Sequence, residues 1–310
     1  MRHKSILILS DNRSGSTLLD QCLGSHSDIV SLGEVHWLRA YVREDRAIYN
    51  PAHPLVCSCG QTVNDCEFWS AVAAELGRPL DSLRLALRME PPGKSAEGGI
   101  PSKIQELPRR AISRLPHVFR YSPIQAAFSA SAIARDTIDL FDAACRVTGK
   151  KYCVDSSKSA FRYRALHEAD PSRTLAIVLV RDYRAVVHSK IKHGNNLETA
   201  ARGWRKKMRQ IEALTRDVPA SRKFQLRYES LCTNPEAELK RLCDFIGVDF
   251  SSSMLQRPSH DVHHIGGSPS KFDPQRTRIS IDTSAQGAFQ AAELKTMRRL
   301  VGPMAMRWGY

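Results

Sequence analysis

A polar loop near the start of the chain has residues and a spacing suited to binding an anion. The loop holds Arg13 and Gly15, and it lies between an apolar run at 6–9 and a helix-like spacing of apolar residues at 17–23. The N–H groups of a first helical turn and the helix dipole both attract anions. Arginine adds a planar fork of charged donors. The loop therefore predicts a site for an anionic nucleotide, with an ordinary strand-to-helix turn as the alternative.

This loop differs from the phosphate-binding loop of ordinary kinases and GTPases. That loop needs the pattern G-x-x-x-x-G-K-[ST], whereas residues 10–17 (SDNRSGST) contain neither its first glycine nor its lysine. An ordinary ATPase or GTPase is therefore disfavoured. A P-loop-type small-molecule kinase is kept as an alternative, and it would require ATP and Mg²⁺.

Three more charged residues follow segments that predict buried strands. Glu34, Lys158 and Arg181 each come shortly after an apolar run. In an open parallel sheet, ligands bind beyond the C-terminal ends of the strands, so these side chains are expected along one edge. Each has a plainer alternative: a solvent-facing loop carboxylate, a surface lysine, and an ion pair between Arg181 and Asp182.

The elements that must position these residues alternate between strand and helix, which predicts an α/β fold with a parallel sheet flanked by helices. The predicted strands are 6–9, 29–32, 151–155, 174–180 and 223–228, and the predicted helices are 17–23, 124–147, 159–169, 196–216 and one from 235. We expect one domain over 1–310. The stretch at 76–123 is rich in Pro, Gly, Arg and Lys, and it predicts short helices and loops, either a cap beside the site or a tolerated insertion.

The chain is strongly basic. It has 310 residues and a net charge of +14, which favours anionic partners without choosing among a cofactor, an acidic substrate, nucleic acid or a membrane surface. The basic segment at 196–216 predicts a solvated helix face, with the steering of an anionic acceptor as the alternative. No nucleic-acid-binding motif occurs, and no apolar run reaches the ~20 residues of a membrane span. The apolar run within the first nine residues is too short for the core of a signal peptide, so we expect a cytoplasmic protein. No sequence feature indicates an oligomeric state.

Eight cysteines are spread along the chain, and Cys57, Cys59 and Cys66 lie close together. His53 could complete a ligand set with them, but C-x-C is poor spacing for zinc, which usually uses C-x₂₋₄-C pairs. A turn with buried thiols or a local disulfide is the preferred interpretation, and no metal is expected.

The loop sequence Arg13-Ser14-Gly15-Ser16-Thr17-Leu18-Leu19 resembles the 5′-phosphosulfate loop of sulfotransferases that use 3′-phosphoadenosine 5′-phosphosulfate (PAPS). It is most similar to the arginine-bearing version of the bacterial, tyrosylprotein and Golgi-type members. The resemblance implies a P-loop-like sulfotransferase fold and PAPS as the donor. It also implies donor contacts from Arg13, Ser14, Gly15, Ser16, Thr17 and Leu18.

Two further landmarks of that family follow in the expected order. Arg181 and Ser189 resemble the 3′-phosphate site, although Tyr183 replaces the usual proline and His193 replaces an arginine of relatives. Tyr228, in Tyr-Glu-x-Leu, resembles the tyrosine that lies against the adenine. The tail resembles a loop that closes over the donor, which implies phosphate contacts by Lys271, Arg276 and Arg278.

The resemblance also implies the catalytic residues. Glu34, in its Gly-Glu context, matches the general base of the arginine-loop members, and His36 is the second candidate because another branch uses histidine. Lys158 matches a lysine that faces the sulfuryl group, and Arg13 would assist it. The expected reaction is sulfuryl transfer to a hydroxyl or amine of a small-molecule, carbohydrate or peptide acceptor. Besides the kinase, a non-catalytic polyanion-binding protein is the alternative.

Overall fold

The computed structural model describes residues 3–45, 54–85, 123–256, 262–268 and 278–310, with the backbone alone at 123–129. Within these ranges five strands form one parallel sheet in the order β2-β3-β1-β4-β5. The strands are β1 (Lys4–Leu9), β2 (Ile29–Ser31), β3 (Tyr152–Asp155), β4 (Thr174–Val180) and β5 (Lys223–Arg227). The predicted α/β class, a parallel sheet flanked by helices, is confirmed.

Helices cover both faces of the sheet, and its central strands β3, β1 and β4 are almost wholly buried. In β4, all seven residues (TLAIVLV) are buried, as expected for a central strand of a parallel sheet. Alternate side chains enter two cores: Val178 joins Leu7 on one face, and Ile177 joins Ile6 and Ile8 on the other. The two cores therefore pack against the strands from both faces. Because the strands are parallel, their C-terminal ends lie along one edge of the sheet.

The described helices fill these two layers and cover the ends of the sheet. They are α1 (Ser16–Gly24), α2 (Leu38–Val42), α3 (Glu67–Leu76), α4 (Pro123–Thr148), α5 (Ala160–Ala169), α6 (Tyr183–Ile191), α7 (Leu197–Leu214), α8 (Tyr228–Thr233), α9 (Pro235–Ile246), α10 (Ala291–Val301) and α11 (Pro303–Arg307). Short 3₁₀ turns occupy Val35–Trp37, Leu80–Ser82, Ala220–Arg222 and Ser252–Leu255. Ser159 caps α5 by accepting a hydrogen bond from the Arg162 amide, as a serine at that position should.

The basic helix α7 is only partly a solvated face. Trp204, Met208 and Ile211 lie on one side and are buried in the core. Lys207 shares that side, because it stands three residues after Trp204 and four before Ile211. The interpretation of 196–216 as a charged, solvated face therefore holds for Arg202, but it is wrong for Lys207, whose ammonium is turned inward.

Several predictions fall outside the described residues. Most of the predicted insertion (86–122), His53, Lys271 and Arg276 are among them. Near the C-terminus, the sequence analysis did not predict α10 and α11, although α10 has an apolar side on which Met297 and Leu300 are buried. Among the described helices none is long and apolar enough to cross a membrane.

Candidate active site

The polar loop after β1 forms a left-handed turn into α1. Arg13 has φ +68° and Gly15 has φ +87°, so two residues of the loop adopt the left-handed conformation before the helix begins. A Cβ added to Gly15 would lie 2.4 Å from Cδ2 of Tyr228, which means that the ring of Tyr228 packs directly on the loop backbone. Glycine is therefore required here for conformation and for space.

Of the other residues of the predicted donor loop, Ser14 precedes α1, and Ser16, Thr17 and Leu18 form its first turn. Ser14, Ser16 and Leu18 are buried, and Thr17 is half-buried. A first helical turn offers N–H groups that have no partner within the helix. Together with the half-buried Arg13, this turn can hold an anion. The pKa of Arg13 is lowered by burial, an effect that the nearby Glu34 carboxylate partly offsets.

Arg181, at the end of β4, connects the loop to Tyr228 and to the tail. Its guanidinium donates to the carbonyl of Arg13 over 3.0 Å and lies 4.4 Å from the centre of the Tyr228 ring. It also pairs with the Asp282 carboxylate at 3.0 Å. The structure therefore brings Arg13, Arg181 and Tyr228 together, as the predicted nucleotide site requires.

A cavity of about 360 Å³ opens beside this group. Arg181 and Tyr228 line it beside the sheet edge, and residues 281–283 and 285–287 line it from the tail. Nε of Arg181 is buried and has no hydrogen-bond partner among the described residues, which suits an incoming anionic oxygen. Burial would raise the pKa of Asp282, but hydrogen bonds from Ser284 and the Arg181 ion pair lower it to about 2.

Glu34 and Lys158 meet at the same edge of the sheet. The Lys158 ammonium donates a hydrogen bond to Oε1 of Glu34, and the two side chains are only 9% and 12% exposed. Lys158 has φ +60°, an unusual value for a non-glycine residue, so local strain accompanies this contact. His36 lies nearby: its amide donates to Oγ of Ser157 and its ring packs on Trp37.

A buried aspartate that the sequence did not single out joins the segments that carry Glu34 and Lys158. Asp20, on α1, accepts hydrogen bonds from Ser31 at 2.6 Å and from Ser156 at 2.9 Å. Burial raises its pKa to about 7, which the two hydrogen bonds partly oppose. Because Ser31 precedes Glu34 and Ser156 precedes Lys158, Asp20 ties the two strand ends together.

Lys207 is a further site residue that the sequence analysis missed. Its ammonium donates to the carbonyl of Lys158 at 2.6 Å. Burial lowers the pKa of Lys207, and the charges of Lys158 and Lys190 lower it further, whereas Asp11 opposes them. Lys190 in turn pairs with Asp11 at 2.5 Å. The sequence feature that could have identified Lys207 is its position on the apolar face of α7.

Ser189 lies on α6, about two turns after Arg181, and is half-buried. Its neighbour His188 approaches Oγ of Ser284 at 3.5 Å, so this part of α6 faces the tail segment that carries Asp282. Glu229, also missed, accepts from the amide of Asp182 at 2.9 Å and thereby holds the turn after Arg181. Arg278 is exposed in a bridge to Gln256.

The tail segment 262–268 covers Glu34. The sequence analysis did not predict this contact. The carbonyl of Ile265 accepts from the amide of Glu34 at 2.7 Å. A Cβ on Gly266 would lie 2.7 Å from Cβ of Glu34, and the amide of Ser268 donates to Oγ1 of Thr17 at 3.1 Å. The segment therefore packs on both Glu34 and the loop that leads into α1.

The sheet order and the loop place the chain among P-loop-like α/β proteins, and the comparisons identify the family. The model of the sulfotransferase family matches residues 97–252, half of the chain. The chain belongs to the sulfotransferase family. Solved structures with the same fold are the sulfotransferase domain from the Synechococcus PCC 7002 olefin synthase (TM-score 0.55, 21% identity, 99% of this chain and 94% of that one) and the sulfotransferase domain from the curacin biosynthetic pathway (TM-score 0.54, 18% identity, 97% and 98%).

Curated relatives give a similar assignment over a shorter stretch. Over 145 residues the chain is 26% identical to a protein named "Putative protein-tyrosine sulfotransferase" from Caenorhabditis briggsae, covering 43% of this chain and 51% of that protein. The protein of the same name from Caenorhabditis elegans is 27% identical over 145 residues, covering 43% and 56%. The match thus spans about half the length of these relatives.

The contact between Gly15 and Tyr228 predicts an unequal cost for two glycine substitutions. Gly77 has a similar left-handed backbone (φ +65°), but a Cβ there meets nothing within 4 Å. Gly77→Ala should therefore cost only the conformational strain, roughly 1–2 kcal/mol. Gly15→Ala should cost clearly more, because the Tyr228 ring must also move. Urea unfolding of both variants measures this, and equal losses would contradict the contact.

Asp20 predicts a pH dependence of stability. Its folded pKa of about 7 lies above the ordinary value of 3.8, so between these values the folded protein keeps a proton that the unfolded chain releases. The free energy of unfolding should therefore fall as pH rises from about 4 to about 7, by at most about 1.4 kcal/mol per pH unit.

Asp20→Asn should remove this contribution. Wild type and variant are compared by urea unfolding at several pH values, with the exposed Asp244→Asn as control. A wild-type-minus-variant difference that stays constant with pH would show that Asp20 does not keep its proton.

Proposed function

We propose that this protein transfers a sulfuryl group from PAPS to an acceptor hydroxyl or amine. The observation that carries the proposal is the Glu34–Lys158 contact at the same sheet edge as the Arg13–Gly15 loop. A carboxylate and an ammonium beside an anion-binding helix start provide a base, a counter-charge and a seat for the donor.

The residues around the cavity fit the donor. Arg13 and the first turn of α1 would hold the 5′-phosphosulfate, and Arg181, through its buried and unpartnered Nε, would meet the 3′-phosphate with Ser189. Tyr228 would lie against the adenine. Asp282 now pairs with Arg181, so a bound phosphate would have to displace or share that carboxylate.

The chemistry assigned to the chain's own groups is proton removal and charge stabilisation. Glu34 takes the proton of the acceptor as the acceptor oxygen or nitrogen bonds to sulfur. The bond from sulfur to the phosphate oxygen breaks, and its electron pair leaves on the 5′-phosphate of adenosine 3′,5′-bisphosphate (PAP). Arg13, Lys158 and the α1 N–H groups stabilise the charge that moves to this leaving group.

For the acceptor, we propose a tyrosine hydroxyl in a peptide, because the curated relatives are named for that reaction. The net charge of +14 would favour an acidic peptide. Transfer to a carbohydrate or a small molecule instead, in an assay with labelled PAPS, would reject the peptide while supporting sulfuryl transfer.

Donor binding is tested through Arg181. Calorimetry without metal should show that PAP binds more tightly than 5′-AMP, because only PAP carries the 3′-phosphate. Arg181→Ala should weaken PAP at least roughly tenfold by removing a charged hydrogen bond, whereas Arg241→Ala, an exposed arginine paired with Glu238 on α9, should not. A preference for ATP with Mg²⁺ would overturn the proposal in favour of the kinase.

The proposed role of Glu34 as the base is tested by measuring turnover and PAP binding separately. Glu34→Gln keeps the size of the side chain but cannot take a proton, so turnover should fall about 10²- to 10⁴-fold while PAP affinity changes little. Glu168→Gln, on the surface of α5, serves as control. Unchanged turnover in Glu34→Gln would remove Glu34 as the base, and His36→Ala would then be assayed in the same way.

A further inference from the structure

Four soft ligand groups converge at the far end of the segment that covers Glu34. Sγ of Cys57, Cys59 and Cys66 and Nδ1 of His263 all lie within 4.8 Å of one another. Cys57 and Cys66 are buried, His263 is half-buried and Cys59 is exposed. His53, the fourth group that the sequence offers, lies outside the described residues; among the described residues the fourth group is His263, which follows Cys57 by 206 residues and Cys66 by 197.

The distances between these atoms match the edges of a zinc tetrahedron. With Zn–S near 2.3 Å and Zn–N near 2.0–2.1 Å, tetrahedral ligands stand about 3.8 Å apart for two sulfurs and about 3.5 Å for sulfur and nitrogen. Cys66 lies 3.7 Å from Cys59 and 3.9 Å from Cys57. Nδ1 of His263 lies 3.7 Å from Cys57 and 3.2 Å from Cys66.

The backbone around the cysteines explains why a C-x-C pair can converge here. The amide of Gly60 donates to the carbonyl of Cys57 at 2.9 Å, and the amide of Cys57 donates to the carbonyl of Gln61 at 2.8 Å. Gly60 has φ +91°, which closes a tight turn. Cys66 then stands at the N-cap of α3, so its thiol points back toward the turn.

His263 is held in its orientation by groups outside the cluster. Its ring stacks on Phe68 at 4.8 Å with an interplanar angle of 11°. On its chain neighbour, the His264 amide donates to Oγ of Ser58 at 2.9 Å, and the Ser58 amide donates to the carbonyl of His264 at 3.0 Å. A positioned ring with a fixed nitrogen is what a metal ligand requires.

We propose that Cys57, Cys59, Cys66 and His263 form a structural Zn²⁺ site. Three thiolates and one imidazole are a soft, tetrahedral donor set that suits zinc. Four protein ligands fill its coordination sphere, so the ion does not act on substrate. The alternative, a local disulfide, would use two sulfurs and leave the third thiol and His263 without this role; all three cysteines are unpaired in the structure.

The zinc site would hold segment 262–268, which contacts Glu34 and Thr17. His263 begins the run whose Ile265 carbonyl accepts from the Glu34 amide and whose Ser268 amide donates to Thr17. Binding the ion to His263 joins this run to the 57–66 loop. The ion therefore acts as a brace for Glu34 from outside the reaction centre.

Metal content tests the site without any use of nucleotide, so its outcome is separate from the outcome for sulfuryl transfer. Protein purified under reducing conditions and desalted should contain roughly one zinc per chain by mass spectrometry. Cys59→Ser and His263→Gln should lose most of it, whereas Cys232→Ser, which alters a cysteine outside the cluster, should retain it. Co²⁺ in place of zinc should give the intense visible bands of a tetrahedral thiolate site in wild type and in Cys232→Ser, but not in the two cluster variants.

A second measurement covers the case in which a variant does not fold. Wild-type protein treated with a strong chelator should release its zinc to a chromogenic indicator and unfold at a lower temperature, and added Zn²⁺ should restore both properties. Folded wild-type protein that takes up no zinc would overturn the proposal. If such protein showed six reactive thiols in denaturant instead of eight, the cluster would be a disulfide.

Discussion

The nearly buried ion pair between Glu34 and Lys158 is the constraint on which the rest of the site depends. Two opposite charges with little exposure are tolerated only when their geometry is fixed and their other polar atoms are satisfied. The surrounding structure provides this. Asp20 joins the strand ends that lead to the two residues, and the carbonyl of Lys158 is held by Lys207.

A second ion pair, deeper in the same region, performs a similar task. Asp155, at the end of β3, pairs with the buried Arg162 at 2.7 Å and accepts from the amide of Ser157 at 2.7 Å. This fixes the turn that carries Lys158 in its left-handed conformation. The strained lysine is therefore supported from α5 below and from α7 beside it, an arrangement typical of functional positions.

Arg181 joins the residues of the predicted nucleotide site, much as Lys158 holds Glu34 at the neighbouring part of the sheet edge. It contacts the donor loop, the Tyr228 ring and the tail at once, so the three family landmarks converge on one guanidinium. The tail reaches the site twice, at 262–268 beside Glu34 and at 280–284 beside Arg181. The proposed zinc ion anchors the first of these, and Asp282 anchors the second.

Much of the fold follows from local pattern alone. The burial of TLAIVLV in β4 and the start of α9 at Pro235 agree with the sequence, because an apolar run and a helix-start proline carry their own structural preference. The resemblance of the loop at 13–19 also led to the family that the comparisons show. The roles of Glu34, Lys158, Arg181 and Tyr228 stay predictions, although the structure places them in two adjoining groups.

The residues that the sequence left unassigned are those whose partners are distant in the chain. Asp20, Lys207 and His263 have ordinary local contexts, and each gains its role from groups on other elements. Burial raises the pKa of Asp20 and lowers that of Lys207, and burial is a property of the packed molecule. Local pattern in the sequence predicts the strands, several of the helices and the order of the landmarks, but not α10 and α11. The tertiary structure alone decided which polar groups meet, because such contacts depend on packing across the sheet rather than on neighbours along the chain.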